Sequence, residues 1–326
     1  MSHIFRSDDV QIGERVVVRR RFGDHFSDVI GHVTGLDPLT IRPQEVGGYP
    51  SDLPSVEIPA EQIYVVKRLS PRMVRNTDIR HIEQAYALAF PGLNQRWSSD
   101  GQWLLRAGDG ITERSNSAAP LGASAGFTPP PLDEFAAFYS EHNLPVRLLI
   151  PERIGRTAEN MVAASPNWQL SPEILVMTHP LDGITSTARI EISEQPDDDW
   201  LALYHFRGQA LPRHALDLLR SRIDGHMAFA RLVTDTGETV AITRATITES
   251  DDGTAWLGYS AVEVAEAYRR QGLGTQLAQG VMAWGAANGA EAAYLQVVAS
   301  NQAGTGLYEK LGFVEHHRHR YAELAV

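Results

Sequence analysis

Residues 262–275 read VEVAEAYRRQGLGT, and this stretch decides the fold of the chain. The pattern predicts a strand, a short turn, and a glycine-rich loop that opens a helix. Free backbone N–H groups at a helix N-terminus bind phosphate, and glycine lets the main chain approach a ligand closely. The stretch therefore predicts a pyrophosphate site, and its neighbours must show which cofactor carries the pyrophosphate.

The loop is neither of the two common nucleotide-binding loops. It lacks the G-x-G-x-x-G order of dinucleotide folds and the Gly-Lys-Ser/Thr ending of a P-loop. A helical pattern of apolar residues follows and stops at Asn288-Gly289, which is a helix C-terminal signal. A β-rich run at residues 293–298 comes next, and then a short helix that follows Asn301 and ends in LYEKLGF at residues 307–313.

These elements, in this order and at this spacing, resemble the GNAT superfamily of acetyl-CoA-dependent N-acetyltransferases. The resemblance covers roughly residues 200–326 and is carried by VEV, RRQGLG, Asn301 and LYEKLGF. It implies an α/β GNAT fold in which two neighbouring parallel strands splay apart. One strand would end near Val264 and the other near Val298, with the pantetheine of acetyl-CoA in the wedge between them.

The resemblance also implies the roles of individual residues. The backbones of Val262 and Val264 would bond the pantetheine amides, and Asn301 would contact the CoA arm. Tyr308 would protonate the leaving thiolate, since a tyrosine hydroxyl with a pKa of ~10 can donate to a thiolate in a dry pocket. The chain has no cysteine, so we expect direct transfer in a ternary complex. The pyrophosphate would be held by the loop residues Arg269, Arg270, Gln271, Gly272, Leu273, Gly274 and Thr275.

The chain differs from the superfamily at the positions where other members have a general base. Many members place a glutamate where this chain has Gly258, and ribosomal-protein N-terminal acetyltransferases place one where it has Gln296. Glu263 is the remaining candidate, although strand alternation points it away from the face of Val262 and Val264. The alternative is a water held by Gln296 and backbone carbonyls. Deprotonating an α-amino group costs ~3 kcal/mol less than deprotonating a lysine side chain. Because no glutamate base is found at the usual positions, the sequence favours an α-amine over a lysine as substrate.

Length, composition and charge limit the remaining possibilities. The 326 residues suggest two or three domains, and the absence of cysteine excludes disulfides and thiolate metal sites. No apolar run approaches ~18 residues, so we expect a cytoplasmic protein without a membrane partner. The net charge of −11 argues against general nucleic-acid binding. The run His316–Arg320 predicts a polar last strand without carboxylate partners, and we expect no metal.

Three segments are predicted. Residues 1–70 read as a small all-β domain that looks like a Src-homology-3-like barrel, because short strands alternate with Gly-, Asp- and Pro-rich turns. Residues 71–182 repeat the GNAT order of elements without the loop motif, which predicts a degenerate GNAT lobe that has lost CoA binding. Residues 183–326 would form the active lobe.

Two arginines on different segments are candidates for binding the acceptor. In the degenerate lobe a strand predicted at Ile111–Ala118 would place Thr112, Arg114 and Asn116 on one face, either as a contact between lobes or as a wall of the substrate site. Arg244 lies on a predicted strand upstream of the cofactor strand.

Two further segments extend the resemblance over essentially the full chain: LRAGDGITERSNS at residues 105–117, and YLQV at residues 294–297 with Asn301 and LYEKLGFVEHH at residues 307–317. With the barrel and the two lobes, they resemble a family of actinobacterial acetyltransferases, some of which are regarded as N-acetylglutamate synthases that feed arginine biosynthesis. The resemblance favours a small-molecule amine as substrate, with L-glutamate first, and Arg244 and Arg114 as partners of its carboxylates. The alternatives are a protein lysine or histone acetyltransferase that docks its partner through the barrel, a mycothiol-synthase-like enzyme, and a non-enzymatic sensor. A homo-oligomer or a protein partner bound through the barrel is also considered.

Overall fold

The structure is a computed structural model and describes residues 10–206, 209–210 and 212–325. The chain divides into two compact units. Unit 1 contains Met1–Arg75 and Glu315–His317, and unit 2 contains Asn76–Val314 and Arg318–Val326. Within the described residues, no helix is both long and apolar enough to cross a membrane.

Unit 1 contains an antiparallel five-stranded sheet in the order β4-β3-β2-β1-β5. Its core is formed by small branched side chains that alternate along the strands, as expected for a sheet with one buried face. The predicted all-β character of the N-terminal segment is confirmed. The strands are β1 (Arg15–Phe22), β2 (His25–Leu36), β3 (Leu39–Pro43), β4 (Val56–Ile58) and β5 (Ile63–Arg68), and the core residues are Val16, Val18, Val33, Ile41 and Ile58.

Unit 2 is built on a 12-stranded mixed sheet with helices packed on it. The predicted mixed α/β architecture is confirmed. Its first half contains α1 (Asn76–Ala89), β6 (Asn94–Trp97), β7 (Leu104–Ala107), β8 (Ala118–Ala119), α2 (Leu132–Glu141), β9 (Arg147–Pro151), α3 (Arg156–Ala163), β10 (Trp168–Leu170) and β11 (Ile174–Pro180). The second half contains β12 (Glu191–Ser193), α4 (Asp198–Leu203), β13 (His205–Phe206), β14 (Gln209–Ala210), α5 (Arg213–Arg222), β15 (His226–Val233), β16 (Thr239–Glu249), β17 (Ala255–Val264), α6 (Leu273–Ala287), β18 (Ala292–Val298), α7 (Gln302–Lys310) and β19 (Val314–Leu324).

Strands from the two predicted lobes interleave in this sheet. The order runs β12-β15-β16-β17-β18-β11-β19-β9-β8-β7-β6, and the twelfth strand, β10, pairs with β19 beside this path. Strand β11 of the first lobe therefore lies between β18 and β19 of the second. The β11–β18 pair is antiparallel and places Val176 opposite Gln296. The lobe boundary after residue 182 stays a prediction. Strands from both sides of this boundary belong to one sheet.

The strand predicted at Ile111–Ala118 is wrong. Only β8 is a strand there, and the residues before it form a loop shaped by the buried side chain of Asn116. The Asn116 Oδ1 accepts a hydrogen bond from the Gly108 N–H at 2.8 Å, and its Nδ2 donates to the Thr112 carbonyl at 2.6 Å. Such side-chain bonds to the backbone compete with the ladder of a sheet. Thr112, Arg114 and Asn116 therefore do not share a strand face.

The strand predicted at His316–Arg320 is present as part of β19, but the prediction that it has no carboxylate partners is wrong. The Nδ1 of His319 lies 2.8 Å from the Glu83 Oε1, and neither side chain is exposed by more than 1%. Arg318 forms a buried ion pair with Glu173. The reason is the position of β19 inside the sheet, where a buried charge must be paired.

Candidate active site

Two parallel strands separate at the centre of the unit 2 sheet. β17 and β18 pair from Trp256 opposite Ala292 to Gly258 opposite Tyr294, and the pairing ends there. Both strands nevertheless continue, β17 to Val264 and β18 to Val298. The predicted wedge between two splayed parallel strands is present.

A bulge in β17 lies just beyond the point of separation. Arg244 of β16 faces Ser260, but the next aligned pair is Ile242 and Glu263. One residue of β16 therefore faces residues 261–262, and Ala261 takes a left-handed φ of 57°. A bulge bends its strand and breaks the local ladder. It turns the backbone around Val262 out of regular pairing with β16, at the position assigned to the pantetheine amides.

The loop before α6 has the backbone of an anion site. Arg270 and Gly272 both take left-handed conformations, with φ of 61° and 81°. Within the described residues, none of the N–H groups from Arg270 to Thr275 donates a backbone hydrogen bond. The first turn of α6 carries no acidic side chain. Successive free N–H groups at a helix N-terminus form a concave site for an anion, so this loop fits a pyrophosphate. The Nε of Arg269 donates to the Val264 carbonyl at 3.1 Å and ties the loop to β17.

The corresponding helix of the first lobe begins differently. α2 is preceded by Pro130-Pro131, and its first turn contains Asp133 and Glu134. The Glu134 carboxylate accepts hydrogen bonds from the Ser99 backbone N–H at 3.0 Å and 3.1 Å. Proline has no N–H to offer, and two carboxylates at this end repel an anion. This chemistry is unsuited to a pyrophosphate and is consistent with a degenerate lobe.

α7 positions the predicted acid. Asn301 caps the helix, because its Oδ1 accepts a hydrogen bond from the Gly304 N–H at 3.0 Å. Tyr308 is buried, with its ring 6.1 Å from Tyr259 and 5.9 Å from Phe313. Burial raises the pKa of Tyr308 to about 12. Its hydroxyl is therefore protonated at neutral pH, as an acid must be before it donates.

A small pocket lies on the α1 side of the wedge. It opens where β17 and β18 separate, and no aspartate or glutamate occurs among the described residues that line it. The Tyr294 OH and the Gln296 Nε2 at this pocket are buried without a hydrogen-bond partner among the described residues. Buried polar atoms are normally satisfied, so these groups indicate a polar ligand. The lining residues are Tyr86, Phe90, Arg114, Thr246, Gly258, Tyr259, Ser260, Tyr294, Leu295 and Gln296.

Two guanidinium groups meet at the ring of Phe90. The Arg114 guanidinium carbon lies 4.9 Å from the ring centroid, and that of Arg244 lies 4.2 Å from it. The Nη2 of Arg244 donates to the Ala89 carbonyl at 2.7 Å, and its Nη1 lies 3.4 Å from the Ser260 Oγ. Burial lowers the pKa of Arg244 to about 10, so it remains cationic at neutral pH. Arg114 lines the pocket, and among the described residues nothing pairs with its guanidinium by a hydrogen bond or an ion pair.

The structure brings together some of the residues predicted for the acceptor. Arg114 and Gln296 line the pocket, and Arg244 lies behind Ser260 at its wall. Asn116 does not line the pocket, because its side chain forms hydrogen bonds with the backbone of the loop that carries Arg114. Its predicted contact with substrate is replaced by a supporting role.

Glu263 is not brought to this pocket. It lies on β17 beyond the bulge and is absent from the described lining. Burial raises the pKa of its carboxyl, while the nearby Arg269 and His205 lower it. The geometry therefore gives no support to Glu263 as the general base for an amine held at Gln296.

The sequence reasoning missed Tyr294. A Cβ added to Gly258 would lie 2.6 Å from the Cζ of Tyr294, so the tyrosine ring occupies the space beside this glycine. A glycine inside a strand signals close approach by a neighbour. Strand alternation also places Tyr294 and Gln296 on one face. Together these two signals could have located Tyr294.

One known protein family matches most of the chain. The family described as "Probable histone acetyltransferase Rv0428c C-terminal" matches residues 76–322. The chain belongs to this family. A full-length relative from Mycobacterium tuberculosis, named probable histone acetyltransferase Rv0428c, is 34% identical over 315 residues, covering 95% of this chain and 94% of the relative. An uncharacterized N-acetyltransferase, YobR, from Bacillus subtilis is 30% identical over 253 residues, covering 75% and 98%.

Solved structures agree on the fold of this acetyltransferase family member. A GCN5-related N-acetyltransferase from Kribbella flavida matches with a TM-score of 0.52 and 14% identity, over 75% of this chain and 95% of that one. A tandem GNAT protein from the clavulanic acid biosynthesis pathway matches with a TM-score of 0.52 and 14% identity, over 74% and 86%. The chain is a GNAT-type acetyltransferase with an N-terminal all-β unit, and GNAT acetyltransferases use acetyl-CoA as acyl donor.

Proposed function

We propose that this acetyltransferase acts on the α-amine of a small amino acid, with L-glutamate as the first candidate. The carrying observation is Arg114, whose guanidinium lies at the acceptor pocket without a described partner, while Arg244 adds a second positive charge behind Ser260. Arginine binds carboxylates through two parallel hydrogen bonds, so such a pocket favours an anionic acceptor. With L-glutamate as acceptor the enzyme would be an N-acetylglutamate synthase of arginine biosynthesis.

Different residues of this chain bind the pyrophosphate, place the acetyl group and protonate the leaving sulfur. Acetyl-CoA supplies an activated acetyl thioester when it is bound. The loop from Arg270 to Thr275 offers its N–H groups to the pyrophosphate, and the wedge beyond Gly258 admits the acyl end. The neutral amine of the acceptor forms a bond to the acetyl carbon as the carbon–sulfur bond breaks. Tyr308 donates its hydroxyl proton to the sulfur, and the proton of the amine leaves to water.

The same pocket is unfavourable for a lysine side chain. A protonated lysine would meet the charges of Arg114 and Arg244 with no described carboxylate in the lining to offset them. Like charges ~4 Å apart near a protein surface repel by about 4 kcal/mol. The name of the Mycobacterium relative supports a protein lysine acetyltransferase as the second candidate, and the mycothiol-synthase-like alternative shares the tandem lobes. The test includes acceptors for both.

A panel of acceptors is the first test. We expect CoA release from acetyl-CoA with L-glutamate, and weaker release with L-glutamine and γ-aminobutyrate, each of which lacks one carboxylate. Lysine-containing histone peptides and the cysteine amine of a cysteinyl-glucosaminyl-inositol acceptor are expected to give background rates. Turnover of the peptides or of the aminosugar, with none of the amino acids, would transfer the assignment to the corresponding alternative.

Removing the charge of Arg114 is the second test. We expect Arg114→Gln to raise the KM for the best carboxylate acceptor about 10- to 100-fold, because a charge-assisted hydrogen bond contributes about 1.5–3 kcal/mol. The KM for acetyl-CoA should not change. Arg156→Gln, on the exposed start of α3, is the matched control and should leave both constants unchanged. An unchanged acceptor KM in Arg114→Gln would contradict the proposed role of this arginine.

A further inference from the structure

The side of the pocket where a catalytic glutamate is often found in this superfamily is occupied here by a tyrosine. We propose that the hydroxyl of Tyr294 holds the acceptor amine in place and takes the position of a carboxylate on β17. This assignment rests on the proposed transfer of an acetyl group to an amine. It names a catalytic residue, since the hydroxyl would touch the reacting nitrogen.

The position of Tyr294 carries the argument. Gly258 and Tyr294 form the last paired position before β17 and β18 separate, so the ring lies at the mouth of the wedge. A Cβ on Gly258 would meet both the Cζ and the OH of Tyr294 at 2.6 Å. The tyrosine ring therefore excludes any side chain at 258, and its hydroxyl lies where such a side chain would begin.

The ring of Tyr294 is fixed, while its hydroxyl is unused. Tyr86 packs edge-on against the ring at 6.5 Å from one side, and Trp256 at 6.3 Å from another. The Tyr294 OH is buried at the pocket with no hydrogen-bond partner among the described residues. An unsatisfied buried hydroxyl costs about 1–3 kcal/mol. A ligand atom in the pocket would remove that cost.

The chemistry of a buried phenol suits positioning rather than proton abstraction. Burial raises the pKa of Tyr294, so the hydroxyl remains neutral at working pH. A neutral phenol oxygen can accept an N–H from the amine and leave the nitrogen lone pair free for the acetyl carbon. The charged and titratable groups that act on Tyr294 are Tyr86 and Glu83 of α1, Arg244 of β16, and Arg114. Glu83 is paired with His319, and the amine proton therefore leaves to water as stated above.

Removing one oxygen atom tests this assignment. We expect Tyr294→Phe to lower kcat/KM for the best acceptor about 10- to 100-fold, because a lost orienting hydrogen bond is not replaced. The Kd of acetyl-CoA should stay within about twofold, since the loop at Arg270–Thr275 is unchanged. Tyr139→Phe is the matched control: this tyrosine is also fully buried, but it lies outside the pocket lining. We expect wild-type kinetics from this control.

Exchanging the two positions gives a second, opposite test. Gly258→Glu alone is expected to be inactive, because its Cβ collides with the ring of Tyr294. Tyr294→Ala removes the ring and opens this space. The double variant Tyr294→Ala/Gly258→Glu should have a kcat/KM at least about tenfold higher than Tyr294→Ala alone, because the glutamate supplies a carboxylate base. Adding Gly258→Gln, which has the same shape without the charge, should recover none. Recovery with glutamate and not with glutamine supports the exchange.

The outcomes separate this inference from the proposed function. If the wild-type enzyme turns over an amine and Tyr294→Phe matches it, the role of Tyr294 is overturned and the proposed function stands. Equal losses in Tyr294→Phe and Tyr139→Phe would overturn it as well, because the effect would be structural. If the wild-type enzyme turns over no amine at all, both the proposed function and the role of Tyr294 fall.

Discussion

Replacing Tyr308 by phenylalanine is expected to lower kcat about 100- to 10,000-fold, which is the usual contribution of a positioned general acid. Protonation of the departing sulfur prevents the thiolate from returning to the acetyl carbon, and the Tyr308 hydroxyl is the donor assigned to it. The ring would still pack against Tyr259 and Phe313, so the free energy of unfolding should change little. Steady-state CoA release, with thermal unfolding as the check on folding, measures both quantities.

The pH profile tests the protonation state of Tyr308. The pKa of Tyr308 is raised to about 12, so the hydroxyl is protonated at every pH well below that value and supplies no falling limb there. Wild-type kcat/KM should therefore rise with pH as the acceptor amine loses its proton and then stay level. A fall in activity between neutral pH and about pH 10 that disappears in Tyr308→Phe would mean that Tyr308 titrates in that range, and would contradict its raised pKa.

Gly272→Asp is expected to abolish acetyl-CoA binding while the protein remains folded. A Cβ at this position would meet no other atom within 4 Å, and aspartate tolerates the left-handed φ of 81° better than most residues. Aspartate is also a favourable N-cap for α6. Its carboxylate would nevertheless lie beside the pyrophosphate. We expect the Kd to rise at least about 100-fold, because like charges ~4 Å apart repel by about 4 kcal/mol.

Gly272→Asn is the control that separates charge from backbone strain. Asparagine has nearly the shape of aspartate and the same tolerance for a left-handed φ, but it carries no charge. Titration calorimetry with acetyl-CoA should show binding by Gly272→Asn within about tenfold of the wild type. Equal losses of affinity in the two variants would mean that strain, rather than anion binding, explains the effect.

The cofactor half of the site could be predicted from sequence because it is local. The loop at residues 269–275 is contiguous with the strand before it and the helix after it, and its glycines report the backbone it needs. Tyr308 was found in the same way, through a short motif. The wedge between β17 and β18 was implied by the resemblance to the GNAT superfamily, which these short contiguous motifs carry.

The acceptor half could not be predicted in the same way because it is assembled from distant segments. The sequence pattern places Arg114 on a strand that is absent from the structure. Arg114 instead lines the pocket from a loop, and the side chain of Asn116 holds that loop by hydrogen bonds to its backbone. Tyr294 was passed over because its importance depends on what lies beside Gly258 in three dimensions. The partners of His319 and Arg318 were missed because nothing local shows that β19 is an interior strand.

The interleaving of β11 and β19 has a consequence for biosynthesis. β19 is synthesised after β9 and β11, yet it lies between them in the sheet. The first lobe therefore cannot complete its sheet until β19 has been made, and the facing edges of β9 and β11 stay open until then. Open strand edges are sites of mispairing, so these two edges are exposed to wrong pairing while the second lobe is being made.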